Sequence, residues 1–397
     1  MDKSLCSKAT SADEVPTPGY MYNEIARVHP CRVLHLLSSI ARERARALGE
    51  FNLRLPGHRS PGHMSENERT LSSPPSDGVS AVRFGTDGGT LLVSSWDSAL
   101  RLYDVRSNSV LACLLQPSPL LDCDLLPDGQ ALSAGLDGAV RLHATATGNE
   151  RTLGSHEGGV RCVRHCAAAN AVVSGSWDRS LKLWDVRSPS PCVGTYAQPE
   201  KVLAMCAGTP AGGERAPLLV VGMCGRHVHV IDLRKPDEAL QKRESSLKCQ
   251  TRCVAQMPSG EGYALGSVEG RVAIEYFEPD EKTQEKKYAF KCHRAAVEGG
   301  DGVYPVNAIA FHPRHGTFAT GGCDGVVNVW DAANKKKICN LRKCPTSIAA
   351  LAFSPSGDAI AIASSYTFEQ GDKTTAPDEI IVKKLADTDC KPKPRAA

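Results

Sequence analysis

Val173-Ser-Gly-Ser-Trp-Asp-Arg-Ser-Leu-Lys-Leu-Trp-Asp-Val-Arg187 decides how the rest of the chain is read. An apolar run ends at small residues, an Asp-Arg pair turns the chain, and an alternating strand follows. Upstream copies are Val93-Ser-Ser-Trp-Asp-Ser-Ala-Leu-Arg-Leu-Tyr-Asp-Val-Arg106 and Leu132-Ser-Ala-Gly-Leu-Asp-Gly-Ala-Val-Arg-Leu-His143. Downstream ones begin at Val220, Ala264 and Ala319, and a degenerate copy joins Ala361-Ile-Ala-Ser-Ser-Tyr366 to Ile380-Ile-Val-Lys-Lys-Leu385. The turn position runs Asp97, Asp137, Asp178, Gly225, Glu269, Asp324, Thr367, in steps of 40, 41, 47, 44, 55 and 43 residues.

That period, about 40–45 residues with four strands per unit, belongs to WD repeats. One such unit cannot bury both faces of its sheet, so neighbours stack until a ring closes. The expected fold is all-β, a seven-bladed WD40 β-propeller. Trp or Tyr at the end of each third strand is expected to pack beside the next blade. Glu68-Arg-Thr-Leu71 precedes the first inner strand, Val79 to Phe84, and is expected to supply the outer strand of the last blade. The propeller is assigned to residues 64–390, with a short basic tail at 391–397. Residues 1–63 carry no repeat and read as a disordered or weakly helical extension, an optional leader or an over-extended start. Their one periodic stretch, Cys31 to Phe51, sets Val33, Leu34, Leu37, Ile40 and Leu48 roughly on one side of a helix.

Of the 397 residues, 41% are hydrophobic and 23% charged, which excludes disordered and collagen-like chains. No run reaches the roughly 18 apolar residues of a membrane helix. Residues 1–63 hold nine Lys/Arg against six Asp/Glu, so the other 334 residues balance at 38 of each sign. A neutral body argues against direct nucleic-acid binding, which runs on counterion release from a basic face. The sixteen cysteines include no Cys-x-x-Cys pair, and spacings such as Cys162/Cys166 or Cys249/Cys253 fit no zinc pattern. Most lie in strand-like runs, where thiols act as small hydrophobes, so a reducing compartment is expected.

No catalytic, metal or cofactor motif is present. There is no G-x-S-x-G and no P-loop, and repeated turn aspartates in a propeller anchor turns. His156 stands where a propeller's structural histidine bonds a turn aspartate. His227 and His229 alternate along one strand as a packed or solvent-facing pair. The expectation is a non-enzymatic scaffold, whose function lies in its rim. Trp96 and Trp177 occupy turns where most residues are small, either as plugs between blades or as exposed anchors. Arg252 leads into the inner strand of blade five, Arg271 follows that blade's Glu-Gly turn, and Lys291, His293 and Arg294 lead into blade six. Clustered on one quadrant of a neutral ring, these basic residues suit carboxylates or a phosphate.

At these residues a resemblance becomes specific. Arg243-Glu-Ser-Ser-Leu-Lys-Cys-Gln-Thr-Arg-Cys253, Glu269-Gly-Arg-Val-Ala-Ile-Glu-Tyr-Phe277 and Lys286-Lys-Tyr-Ala-Phe-Lys-Cys-His-Arg294 resemble the WD-repeat family of the spindle checkpoint that docks the Bub kinases. Tyr304-Pro-Val-Asn-Ala-Ile309 and Pro345-Thr-Ser-Ile-Ala349 do so too, and the similarity covers about residues 64–390. The resemblance implies a monomeric propeller in a hetero-complex, nuclear and at kinetochores in mitosis, with no membrane partner. It implies binding of an acidic docking segment of the Bub kinases and their relatives, with Arg252 and Arg271 meeting two glutamates and Trp96 nearby. It further implies that Arg271 and Lys291 read a phosphorylated threonine in Met-Glu-Leu-Thr repeats of the outer-kinetochore scaffold. The family's fungal pattern has arginine where Lys291 stands, and lysine keeps the charge but lacks the bidentate fork. Two rivals are a messenger-RNA export factor of the nuclear pore and a cullin-ligase substrate receptor, the latter through the W-D-x-R box Trp184-Asp-Val-Arg187.

Overall fold

The structure, a computed structural model, describes residues 67–208, 216–297 and 300–392. The expected leader with its Cys31–Phe51 helix, and most of the basic tail, lie outside these residues. The described chain forms seven four-stranded antiparallel sheets and one two-stranded hairpin. Blade 1 runs outward from the axis as Val79–Phe84, Thr90–Ser95, Ala99–Asp104 and Ser109–Leu115. Blade 3 is Val160–Cys166, Ala171–Ser176, Ser180–Trp184 and Cys192–Ala197. Blade 5 is Thr251–Gln256, Gly262–Ser267, Arg271–Tyr276 and Tyr288–Lys291. Blades 2, 4 and 6 begin at Leu120, Val202 and Val306, and blade 7 at Ile348. Each inner strand packs on the next, and that of blade 7 packs on that of blade 1. The ring is therefore closed and has no open blade face.

Closure explains the hydrophobic pattern. Second strands are sandwiched between neighbouring blades, so Leu218–Met223 and Gly262–Ser267 are buried at every residue and show no alternation. Small residues are required where the next inner strand arrives. A Cβ on Gly321 would lie 2.4 Å from Ile348 Cγ2, and one on Gly175 would lie 2.8 Å from Val202 Cγ1. Outer strands face water on one side, and Ser109–Leu115 alternates exposed and half-buried.

As expected, Glu68–Thr70 completes blade 7, pairing antiparallel with Glu379–Lys384 in the register Glu68↔Lys383 and Thr70↔Ile381. Glu68 also accepts from Lys383 Nζ at 2.6 Å and pairs with Arg342 of blade 6. The two ends of the propeller are thus fastened in one sheet.

Two expectations are corrected. Third-strand aromatics pack on the preceding blade, not the following one. Trp184 joins the blade 2 cluster of Leu126, Leu132 and Leu153, over Gly154, where a Cβ would come within 2.7 Å of the indole. Tyr103 packs likewise with blade 7, and Trp330 packs on blade 5. Alternation says that a side chain faces a neighbouring sheet, but not which of the two. The seventh turn is also shifted. The N–H groups of Trp96, Leu136, Trp177, Cys224, Val268, Cys323 and Ser365 each donate to the carbonyl just before their own inner strand. Tyr366, not Thr367, is therefore the counterpart of Asp97. A long loop, 365–378, replaces the short turn there and erases its local pattern.

His156 does have the structural role read from its position. Its Nδ1 lies 3.1 Å from Asp178 Oδ2, its Nε2 lies 2.7 Å from Ser174 Oγ, and Trp184 Nε1 donates to that hydroxyl at 2.8 Å. His143 fills the Trp184 position of blade 2, with Nε2 at 2.8 Å from Ser133 Oγ. It is 1% exposed, and burial pulls its pKa down to about 4. The unfolded chain takes up that proton near pH 6.5, whereas the folded protein holds the ring neutral. Stability therefore falls as pH drops from about 6.5 towards 4. The urea midpoint is expected to decline across that window, and His143→Gln should flatten the decline. An equally steep decline in the variant would assign the acid sensitivity to other groups.

Candidate partner-binding face

Every inner strand carries a β-bulge after its first residue, leaving Ser80, Leu121, Arg161, Leu203, Arg252, Asn307 and Ala349 unpaired in the ladder. A bulge re-aims its side chain, and these seven form a ring at the end of the channel that also bears the turns between second and third strands. This is the top face. Arg252, half-buried in the ring, donates from Nε to Asn307 Oδ1 at 3.1 Å. Asn307 in turn donates from Nδ2 to Ile348 O at 3.0 Å, so the arginine is braced across blades 5, 6 and 7.

Arg271 opens the third strand of blade 5 and lies directly opposite Lys291 on the outer strand. Like charges in register repel, so the fold gains nothing from this pairing. Glu269 arranges the surroundings of Arg271. Its Oε2 is 3.6 Å from Arg271 Nε, its Oε1 accepts from the Lys248 N–H at 3.2 Å, and its carbonyl accepts from Arg294 Nη2 at 3.1 Å. The Nε–H groups of Arg271 and Arg294 are nevertheless buried without a hydrogen-bond acceptor. Glu269 was read from sequence only as a turn residue, and its one signal was glutamate in place of the usual turn aspartate.

The two tryptophans stand apart from this quadrant, in blades 1 and 3. Both are half-buried and lean over the glycine that leads into their own blade. A Cβ on Gly78 would lie 3.5 Å from Trp96 Cδ1, and one on Gly159 would lie 3.0 Å from Trp177 Cε3 and 3.3 Å from Leu136. Each ring is therefore packed on that glycine while part of its side chain stays exposed. The candidate residues do not line one pocket. They span the top face from blade 1 to blade 5, which suits an extended peptide better than a small molecule.

His293 does not belong to the basic rim suggested by sequence. It is buried, with Nδ1 at 2.9 Å from Asp324 Oδ1 and Nε2 at 2.8 Å from Thr320 Oγ1, and Trp330 Nε1 donates to the same hydroxyl at 2.9 Å. It is the blade 6 counterpart of His156. In the W-D-x-R box, Arg187 closes on its own Asp185, with Nε–Oδ1 at 2.9 Å and Nη2–Oδ2 at 3.0 Å. His227 and His229 line a shallow groove beside Tyr196 and Lys242. Exposed His227 and buried His229 thus divide the two alternatives between them. His229 Nδ1 lies 3.0 Å from Gln198 Oε1.

Among the described residues one cluster, His312, His315 and Cys390, brings metal-ligand atoms together. His312 Nδ1 already accepts from the Arg314 and His315 N–H groups, and its Nε2 donates to Gly357 O at 2.9 Å. Both nitrogens are used in holding a turn, so the cluster fits a structural role better than a metal centre. Among the described residues no two cysteines are joined in a disulfide.

The family model described as "WD domain, G-beta repeat" matches residues 65–104, 148–185 and 286–331. Mitotic checkpoint protein BUB3.1 of Arabidopsis thaliana is 52% identical over 82% of this chain and 95% of its own length. Mitotic checkpoint protein bub3 of Dictyostelium discoideum is 43% identical over 79% of this chain and 94% of its own. The mRNA export factor GLE2 of Chaetomium thermophilum is 34% identical over 83% of this chain and 93% of its own length.

Proposed function

The chain belongs to the BUB3 family of mitotic checkpoint WD-repeat scaffolds, and from that membership we propose that it recruits Bub-type checkpoint kinases to kinetochores by two contacts on its top face. In the first, Arg252 and Arg271 take carboxylates of an acidic docking segment of the kinase, which crosses towards Trp177 and Trp96. In the second, Arg271 and Lys291 take the phosphate of phosphorylated Met-Glu-Leu-Thr repeats in the outer-kinetochore scaffold. The protein acts in the nucleus and, in mitosis, at kinetochores, without chemistry of its own.

The observation that supports this reading best is the pairing of Arg271 with Lys291 directly opposite each other in the ladder. A phosphate with about −1.5 to −2 charges relieves that repulsion. The export-factor reading has weaker support, at 34% against 52% identity, and the neutral body gives it no RNA-binding stripe. The ligase reading gains nothing from Arg187, which is bound to its own Asp185.

Titration with a Met-Glu-Leu-Thr peptide, with and without threonine phosphorylation, tests the second contact. Phosphorylation should tighten binding at least tenfold at low salt, and most of that gain should vanish at about 0.5 M salt, where screening is within a few ångströms. Equal affinity for the two peptides would remove the phosphate role. Lys291→Arg restores a planar fork and should tighten the phosphorylated peptide a further two- to fivefold, roughly. No gain would place Lys291 outside direct contact.

A further inference from the structure

Five serines among the described residues stand directly before a proline: Ser73, Ser118, Ser188, Ser190 and Ser354. A proline on the carboxyl side is the feature that proline-directed protein kinases require of a serine, so each is a chemically eligible acceptor. The fold withdraws three of them. Ser118 and Ser354 are 5% and 2% exposed, and the Ser354 hydroxyl donates to Asp358 Oδ1 at 2.7 Å. Ser73 is exposed, but its carbonyl accepts from the hydroxyl of buried Tyr103 at 2.8 Å, and Leu71 and Pro75 on either side are buried. That stretch is held flat on the propeller and does not lift into a kinase cleft.

Ser188 and Ser190 stand differently. They occupy Arg187-Ser-Pro-Ser-Pro191, in the turn between the third and outer strands of blade 3. Blades 1 and 2 make this connection with four residues, 105–108 and 145–148, whereas blade 3 uses seven, 185–191. Arg187, Pro189 and Ser190 are exposed, and Ser188 is half-buried. The Ser188 hydroxyl donates to the Ser190 carbonyl at 3.0 Å and accepts from the Ser190 N–H at 3.2 Å, so it is used in closing the turn. The Ser190 hydroxyl has no hydrogen-bond partner among the described residues. Each proline also disfavours helical backbone at the serine before it, which biases the segment towards the extended form that a kinase cleft takes.

We propose that Ser190 is a phosphorylation site for a proline-directed kinase, and that Arg187, three residues before it, is the phosphate's partner within the chain. Ser190 Oγ attacks the γ-phosphorus of Mg-ATP, the bond from that phosphorus to the β,γ-bridging oxygen breaks, ADP leaves, and the hydroxyl proton passes to the kinase's aspartate. The product carries about −1.5 to −2 charges on an exposed turn. Arg187 is 67% exposed and is held by Asp185 alone, with Nε–Oδ1 at 2.9 Å and Nη2–Oδ2 at 3.0 Å. A phosphate of higher charge competes well with one carboxylate for a guanidinium fork. Asp185 keeps the Arg187 N–H, at 3.0 Å, so the turn survives the exchange. Phosphorylation therefore places a dianion on the edge of blade 3 and takes Arg187 out of the W-D-x-R box. The inference does not depend on the kinase-docking reading, because this turn lies at the end of the blade opposite to the top face.

The test incubates the full chain with Mg-ATP and two proline-directed kinases, one cyclin-dependent and one mitogen-activated, and locates the phosphate by mass spectrometry. Ser190 should be modified at least tenfold more than Ser188, with none on Ser118 or Ser354 while the chain is folded. Pro191→Ala keeps the acceptor hydroxyl and should cut incorporation at Ser190 at least tenfold. An unmodified Ser190 overturns the proposal, as does phosphate on Ser188 in its place or incorporation undiminished in the Pro191 variant. The part of Arg187 is read by phosphorus NMR of the modified chain, from the second ionisation of the phosphoserine, near pH 6. In Arg187→Gln its midpoint should lie higher by about 0.3 or more, because the cation that favours the dianion is gone. An unchanged midpoint removes Arg187 as the phosphate's partner.

Discussion

Asp122→Ala is expected to destabilise the propeller by about 3–5 kcal/mol, the range for removing one partner of a buried charge pair. Asp122 is 2% exposed and holds three blades together. Its Oδ1 accepts from Arg83 Nη2 of blade 1 at 3.1 Å, and its Oδ2 accepts from Arg164 Nη1 and from the Val163 N–H of blade 3, the latter at 3.1 Å. Arg164 is only 20% exposed, and the carboxylate beside it drives its already high pKa upward against the cost of burial. Without Asp122, two guanidinium groups remain in the channel wall with little water to replace it. The expected loss is a large share of the roughly 5–15 kcal/mol that holds a typical domain folded. Urea unfolding followed by circular dichroism measures it. Combining Asp122→Ala with both Arg83→Met and Arg164→Met should recover much of the loss, because neither guanidinium is then left without its carboxylate. A drop below about 1 kcal/mol in the single variant would mean that water solvates the channel wall.

The second large effect concerns binding. Arg271→Ala together with Lys291→Ala should weaken the phosphorylated Met-Glu-Leu-Thr peptide by more than a hundredfold, with charge-assisted contacts counted at about 1.5–3 kcal/mol each. Folding stability should hardly change. The double variant loses the loose Arg271–Glu269 pair, at 3.6 Å, but it also removes the repulsion between Arg271 and Lys291 in register. Each contribution is worth roughly 0–1 kcal/mol and they oppose one another. Calorimetric titration and a thermal melt of the same sample separate the two. Intact binding would show that the phosphate sits elsewhere, and a lowered melting temperature would show that the pair serves the fold.

Most of the architecture was legible in the chain because each blade solves the same problem with the same local pattern. Small residues, a turn acid and an alternating strand recur wherever a sheet must be covered on both faces. The fastening strand at Glu68–Thr70 followed from counting strands in the last blade. Arg252 and Arg271 were legible as basic residues of blade 5, whereas Lys291, read as leading into blade 6, ends the outer strand of blade 5. Less could be said of His293, whose partner Asp324 is far along the chain, so a buried structural histidine looked like a rim cation.

What the sequence by itself determined is everything written in the period: the number of blades, the strands in each, and the closure of the ring through its first strand. Only the tertiary structure decided which side of each blade receives the third-strand aromatics, that Tyr366 takes the seventh turn position, and that Arg271 stands opposite Lys291. It alone joined Asp122 to Arg83 and Arg164, and set Arg161 in the same ring as Arg252. The physical reason is that backbone pairing repeats within each blade and so leaves a local record. Electrostatic partners meet across the ring, between residues from different repeats, and nothing in either repeat marks the other as its neighbour.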